Sequence, residues 1–121
     1  MNVLIVEGHR GISQVLSSFL KLFGHVVDEA SEGREAIRRI QSHPYDIVIT
    51  DSEILSVDGP ELCRFVKSHD RDVYVIGISG YLSALKDLED AGADICFYKP
   101  FDVGHLKNAI DCRTALPRPS P

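Results

Sequence analysis

The segment Tyr45–Leu62, YDIVITDSEILSVDGPEL, passes through three kinds of local signal. An apolar run of strand length, Ile47–Ile49, comes first and ends in the polar cluster Thr50-Asp51-Ser52-Glu53. The Asp58-Gly59 pair then reads as a turn. Pro60 follows, suited to the first position of a helix because its missing N–H has no partner there anyway. Leu62, Phe65 and Val66 take the inward face of that helix. The unit is therefore a buried strand, an acidic end, a turn and an amphipathic helix.

The same alternation extends in both directions. Strand-length apolar runs occur at Val3–Val6 and Val73–Ile78, with shorter ones near Val26–Val27 and Ile95–Tyr98. Helical spacing lies between them. Ile12, Val15, Leu16, Phe19, Leu20 and Phe23 form one expected apolar face, and Gly24 sits where a helix C-terminus would place it. Ala36, Ile37 and Ile40 mark a second helix. Leu82, Leu85 and Leu88 mark a fourth, and Leu106 and Ile110 a weaker fifth. Strands that are hydrophobic throughout are buried on both faces, as in parallel sheets covered by helices. The expected fold is α/β: a single doubly wound (βα)5 domain over residues 1–112 around a parallel five-stranded sheet. The segment 113–121, RTALPRPSP, holds three of the six prolines and reads as a tail or linker.

Composition narrows the function. The chain has 121 residues, enough for one domain, with 44% hydrophobic and 26% charged residues. No apolar stretch is long enough to span a bilayer and no signal-peptide pattern opens the chain, so no membrane association and a cytoplasmic location are expected. Cys63, Cys96 and Cys112 show no metal-binding spacing and are expected to be reduced, with Cys63 and Cys112 as packing residues. A net charge of -5 without clustered Lys and Arg argues against direct nucleic-acid binding.

The chemistry collects at the carboxyl ends of the strands, the edge on which open α/β sheets hold their ligands. Strand one, VLIVEGHR, ends in Glu7-Gly8-His9; strand three in Asp51-Ser52-Glu53; strand four in Ser79-Gly80; strand five in Lys99-Pro100. Carboxylates gathered on one surface raise one another's pKa unless a cation intervenes. Lys99 is one candidate cation, and a hard divalent ion on oxygen ligands is another.

Over roughly residues 2 to 112 the sequence resembles the receiver domain of two-component response regulators, the CheY-like fold. The resemblance rests on LIVEG, YDIVITDSEILSVDGPEL, VIGISG and AGADICFYKPF and on their spacing. It implies a strand order of 2-1-3-4-5 and a phosphorelay function. A sensor histidine kinase or phosphotransfer protein would pass a phosphoryl group from a phosphohistidine to Asp51. Mg2+, held by Glu7, Asp51 and the Glu53 region, would bridge Asp51 and a phosphoryl oxygen. Lys99 would pair with a second oxygen and the Ser79 hydroxyl with a third, and the Lys99–Pro100 peptide is expected to be cis. The implied role is a phosphoacceptor with self-catalysed transfer and autodephosphorylation, not an enzyme with a separate substrate. Its readout would be a surface of helix four, strand five and helix five that recruits an effector domain or protein; a homodimer through helices four and five is a further implied contact.

Three positions depart from the family pattern. Gly8 replaces the second acid after strand one, usually the direct metal ligand, so a weaker Mg2+ site is expected. Cys96 stands three residues before the lysine, where the family has a signalling aromatic. Leu55 stands where proline is common. The first two favour an alternative, a pseudo-receiver that acts as a phosphorylation-independent interaction module. A flavin protein of the same topology is the third class, disfavoured because VEGHRG places an acid where a phosphate-binding loop belongs.

Overall fold

In a computed structural model, residues 1–115 are described. The elements run β1 (Asn2–Val6), α1 (Arg10–Leu22), β2 (Val26–Ala30), α2 (Gly33–Ser42), β3 (Ile47–Asp51), α3 (Gly59–His69), β4 (Tyr74–Ser79), α4 (Leu82–Asp90), β5 (Ile95–Tyr98) and α5 (Val103–Ala115). The strands form one sheet of order β2-β1-β3-β4-β5, every neighbouring pair parallel, as expected. In register, Val6 lies beside Thr50 and Asp51 beside Ile78, so the polar strand ends share one edge.

Alternation along each strand builds two cores. Val3, Ile5, Ile47, Ile49, Ile76 and Ile78 pack with Leu16 and Leu20 of α1 and Leu106 and Ile110 of α5. Leu4, Val6, Val48 and Val75 pack on the other side with Ala36, Leu62, Val66 and Leu88 of α2, α3 and α4. Each fully buried Leu or Ile contributes roughly 1.5–3 kcal/mol relative to exposure. Burial on both faces is why the strands lack a polar side. No helix among the described residues is long and apolar enough to cross a membrane.

Several positions differ from expectation. On α1 the buried positions are Ser13, Leu16, Ser17 and Leu20, an i, i+3, i+4, i+7 stripe. Val15 lies off that stripe and is 63% exposed. Phe23 is also exposed, and it covers its ring against Phe19 and beneath the Lys107 ammonium. Of the α4 leucines only Leu88 is buried; Leu85 is half-buried and Leu82, at the first position of the helix, is exposed. Cys112 is exposed and is no packing residue, whereas Cys63 is buried, its thiol pushed up to about 11 by burial. Helix α5 runs through Ala115, so Arg113–Ala115 belong to it and not to a tail. Residues 116–121 of the expected tail lie outside the described residues.

The Asp58-Gly59 pair is a helix start. Asp58 is the N-cap of α3, its Oδ1 accepting the Glu61 N–H at 2.8 Å. Gly59 opens the helix, and its N–H donates to the Ser52 carbonyl at 3.0 Å. A Cβ at position 59 would lie 2.5 Å from the Asp51 carbonyl oxygen and 2.7 Å from the Ser52 Cα. Glycine is what lets α3 press against the acidic end of β3. Gly59→Ala is expected to destabilise the fold by about 1–3 kcal/mol, the usual cost of forcing atoms into a filled site; urea unfolding of the two chains measures it.

Candidate functional site

Three strand ends meet at Lys99. Its Nζ donates to Glu7 Oε2 at 3.0 Å and forms a second ion pair with Asp51 Oδ2. Glu7 and Asp51 are both buried, 5% and 7% exposed. Their remaining oxygens are held by backbone: Glu7 Oε1 accepts the His9 N–H at 3.0 Å, and Asp51 Oδ1 accepts the Glu53 N–H at 2.8 Å. The Lys99–Pro100 peptide is cis.

Glu7 is shifted upward from its ordinary 4.5, foremost because burial disfavours the carboxylate. The His9 N–H opposes that rise, and Lys99 opposes it further; the nearby Asp51 adds to it. Burial alone would lower Lys99, but its bonds to Asp51 and Glu7 outweigh that and raise it. The ammonium is therefore charged at neutral pH and held between two carboxylates. Ser79, fully buried at the end of β4, accepts the Tyr81 N–H at 3.1 Å. Ser52 donates to it at 2.8 Å.

Glu7, Asp51 and Lys99 thus meet as expected, and Ser79 lies at the next strand end. The Glu53 carboxylate does not join the cluster. Its N–H is turned to Asp51, and its side chain is exposed in the bend beyond β3. Among the described residues no group of three His, Cys, Asp or Glu side chains is arranged to hold a metal ion. Two participants escaped the sequence. His9 is the N-cap of α1, its Nδ1 accepting the Ile12 N–H at 3.2 Å. Histidine is not among the residues that signal a cap, so only its place just before the apolar stripe pointed there. Ser52 adjoins Asp51 in sequence, but its bond to Ser79 spans two strands.

Residues 3–111 match the family model of the response regulator receiver domain. The chain belongs to the response regulator receiver family. It is a receiver of two-component phosphorelay signalling. The chain is 28% identical to sporulation initiation phosphotransferase F of Bacillus subtilis over 110 residues, 89% of either chain. It is also 28% identical to the sensor protein EvgS of Escherichia coli over 112 residues, covering 91% of this chain but only 9% of that protein. Among solved structures, the response regulator TrrA of Thermotoga maritima, in complex with Mg2+ and BeF, superimposes with a TM-score of 0.85 at 28% identity, covering 93% of this chain and 97% of that one. The receiver domain of a Pseudomonas aeruginosa sensor histidine kinase shares the fold, with a TM-score of 0.87 at 21% identity, covering 95% of this chain and 98% of that one.

The Glu7–Lys99 pair makes a pH-dependent prediction. A carboxyl whose folded pKa is raised favours the folded state while protonated; that stability is present below about pH 4.5 and is lost as pH rises through the raised value. Lys99→Met removes the cation that opposes the rise. Its melting temperature is expected to fall more steeply than that of the parent from pH 4.5 upward. Parallel curves for the two chains in thermal unfolding would show that Lys99 does not set the Glu7 charge.

Proposed function

We propose that Asp51 accepts a phosphoryl group from a phosphohistidine of a sensor kinase or phosphotransfer protein, and that Lys99 and Ser79 assist. The observation that carries this reading is the Lys99 ammonium paired with the buried Asp51 and Glu7 carboxylates. A carboxylate oxygen of Asp51 attacks phosphorus, the phosphorus–nitrogen bond breaks, and its electron pair returns to the imidazole nitrogen of the donor. A loose transition state spreads charge over the phosphoryl oxygens, so positioned positive charge and hydrogen-bond donors are what the site must supply. Lys99 pairs with one oxygen as a compact point charge. The Ser79 hydroxyl donates to another. The chain is thereby phosphoacceptor and catalyst of its own transfer and dephosphorylation, in a cytoplasmic relay that ends on an effector.

The donor set suits a hard cation. Glu7 and Asp51 offer carboxylate oxygens, and the Glu53 backbone carbonyl, as the family pattern implies, a third. Mg2+ bound there supplies charge neutralisation that Lys99 alone does not provide. TrrA, solved with Mg2+ and BeF, supports this assignment at the level of the family. The site has one carboxylate fewer than the family pattern implies, and on this reading Mg2+ binds more weakly. Position 8 has room for the missing acid: a Cβ on Gly8 would meet only the Ser31 carbonyl, at 3.7 Å. Gly8→Asp is expected to raise Mg2+ affinity at least about tenfold in calorimetric titration, a modest return for an added charge beside a divalent ion. An unchanged affinity would mean that the natural ligand set already compensates for Gly8.

The reading is tested by intact mass after incubation with acetyl phosphate, with and without Mg2+. The parent chain gains one phosphoryl group only when Mg2+ is present, and Asp51→Asn gains none. A parent chain that stays unlabelled under conditions that label an ordinary receiver would instead leave a phosphorylation-independent interaction module.

A further inference from the structure

The Ser79 hydroxyl is held from two sides at the end of β4. It has no exposed surface, and its Oγ is approached by two donors, the Tyr81 N–H at 3.1 Å and the Ser52 hydroxyl at 2.8 Å. A hydroxyl oxygen has two lone pairs and one proton. With both lone pairs engaged, the proton is the one valence left, and tetrahedral geometry turns it away from both donors. Ser52 is itself held in place. It is 6% exposed, and its N–H donates to the Ile78 carbonyl at 2.9 Å, one residue before Ser79. Its carbonyl accepts the Gly59 N–H at the start of α3. The backbone on both sides of the Ser52 side chain is thus bonded to neighbouring elements, which fixes the point from which its hydroxyl reaches Ser79.

We infer that Ser52 is a positioning residue for phosphoryl transfer: by donating to Ser79 it leaves the Ser79 proton free to be donated to the phosphoryl group on Asp51. The inference rests on the phosphoacceptor role proposed for Asp51. Ser52 touches no reacting atom; it acts through Ser79. It also explains why a hydroxyl is buried directly after the acceptor: an apolar residue there would leave the Ser79 rotor free to spend its proton elsewhere, at a net loss typical of one hydrogen bond. The opposite polarity, with Ser79 donating to Ser52, would make Ser52 a restraint that withholds the proton, and the two arrangements differ in the sign of one measurement.

That measurement is the rate of Asp51 phosphorylation by acetyl phosphate, followed by intact mass, for the parent chain, Ser52→Ala, Ser79→Ala and the double variant. Ser52→Ala is expected to slow labelling roughly 3- to 10-fold, the kinetic equivalent of one hydrogen bond. In the Ser79→Ala background the same change is expected to add nothing, because its only route of action is gone. A merely structural role would produce the same loss in both backgrounds, and that result overturns the inference. Labelling of Ser52→Ala at the parent rate or faster overturns it as well. A parent chain that takes no label removes the phosphoacceptor reading and this inference together, whereas a labelled parent with an indifferent Ser52→Ala removes the inference alone.

Discussion

The ammonium of Lys99 is what allows two carboxylates to lie together inside this protein. Glu7 and Asp51 end neighbouring strands and are almost entirely removed from water. Left alone, such a pair would hold a proton or be pushed apart. Lys99 arrives from the far edge of the sheet, 92 residues after Glu7 and 48 after Asp51. One ion therefore joins the ends of β1, β3 and β5. Losing Lys99 would leave two buried carboxylates without their cation, and that asymmetry makes such networks costly to break. Position dictates the rest: the parallel register aligns the strand ends, the glycine at position 59 brings α3 against Asp51, and the backbone N–H groups of His9 and Glu53 fix the outer oxygens.

The architecture was legible because it depends on signals that recur along the chain. Apolar runs such as Val3–Val6 and Val73–Ile78 admit little besides buried strands, and the acids that stop them are local too. Glu7, Asp51 and Lys99 could be placed on one edge because a parallel sheet sends every carboxyl end the same way. What failed to show were features set by a few degrees of helix rotation or by a single hydrogen bond. Val15 and Leu82 carry the right hydrophobicity at nearly the right spacing, yet they fall beside the contact stripe and not on it. Ser13 and Ser17 are buried in their place; the Ser13 hydroxyl is satisfied by Glu29 at 2.6 Å, a partner on another element that no periodicity reveals. Ser56, in the left-handed region at φ 66, is similar: its Oγ accepts the Arg34 N–H at the start of α2, a bond between two elements that overrides local preference. Glu53 was placed by its offset of two residues from Asp51; its N–H bonds to Asp51 while its side chain is exposed.

The same separation of local from long-range cause applies to the departures from the family. Cys96 packs with the α2–α4 core, its thiol near the Leu85 carbonyl at 3.8 Å, while Phe97 faces the opposite core and Tyr98 is half exposed. Strand alternation foretold that arrangement. The aromatic residue on the Cys96 face is therefore at the very end of the strand, one residue before Lys99.

Charge balance shows what Gly8 changes at the site. The Glu7 and Asp51 carboxylates against the Lys99 ammonium leave the cluster with a small negative excess. Phosphorylating Asp51 replaces a monoanionic carboxylate by a group carrying about two negative charges. The excess then matches what a single divalent cation neutralises. With a second acid at position 8 the unphosphorylated site would already carry that excess, holding the metal more tightly and the phosphoryl group under greater repulsion. Gly8 shifts the site in the other direction: less charge to attract the cation beforehand, and less to repel the phosphoryl oxygens afterward. Coulomb interactions at these separations are several kcal/mol even at an effective dielectric near 20, so under the proposed chemistry one carboxylate fewer would shift more of the neutralising work to Lys99, Ser79 and the cation. On that reading the orientation of the Ser79 hydroxyl would weigh more here than beside a full set of acids.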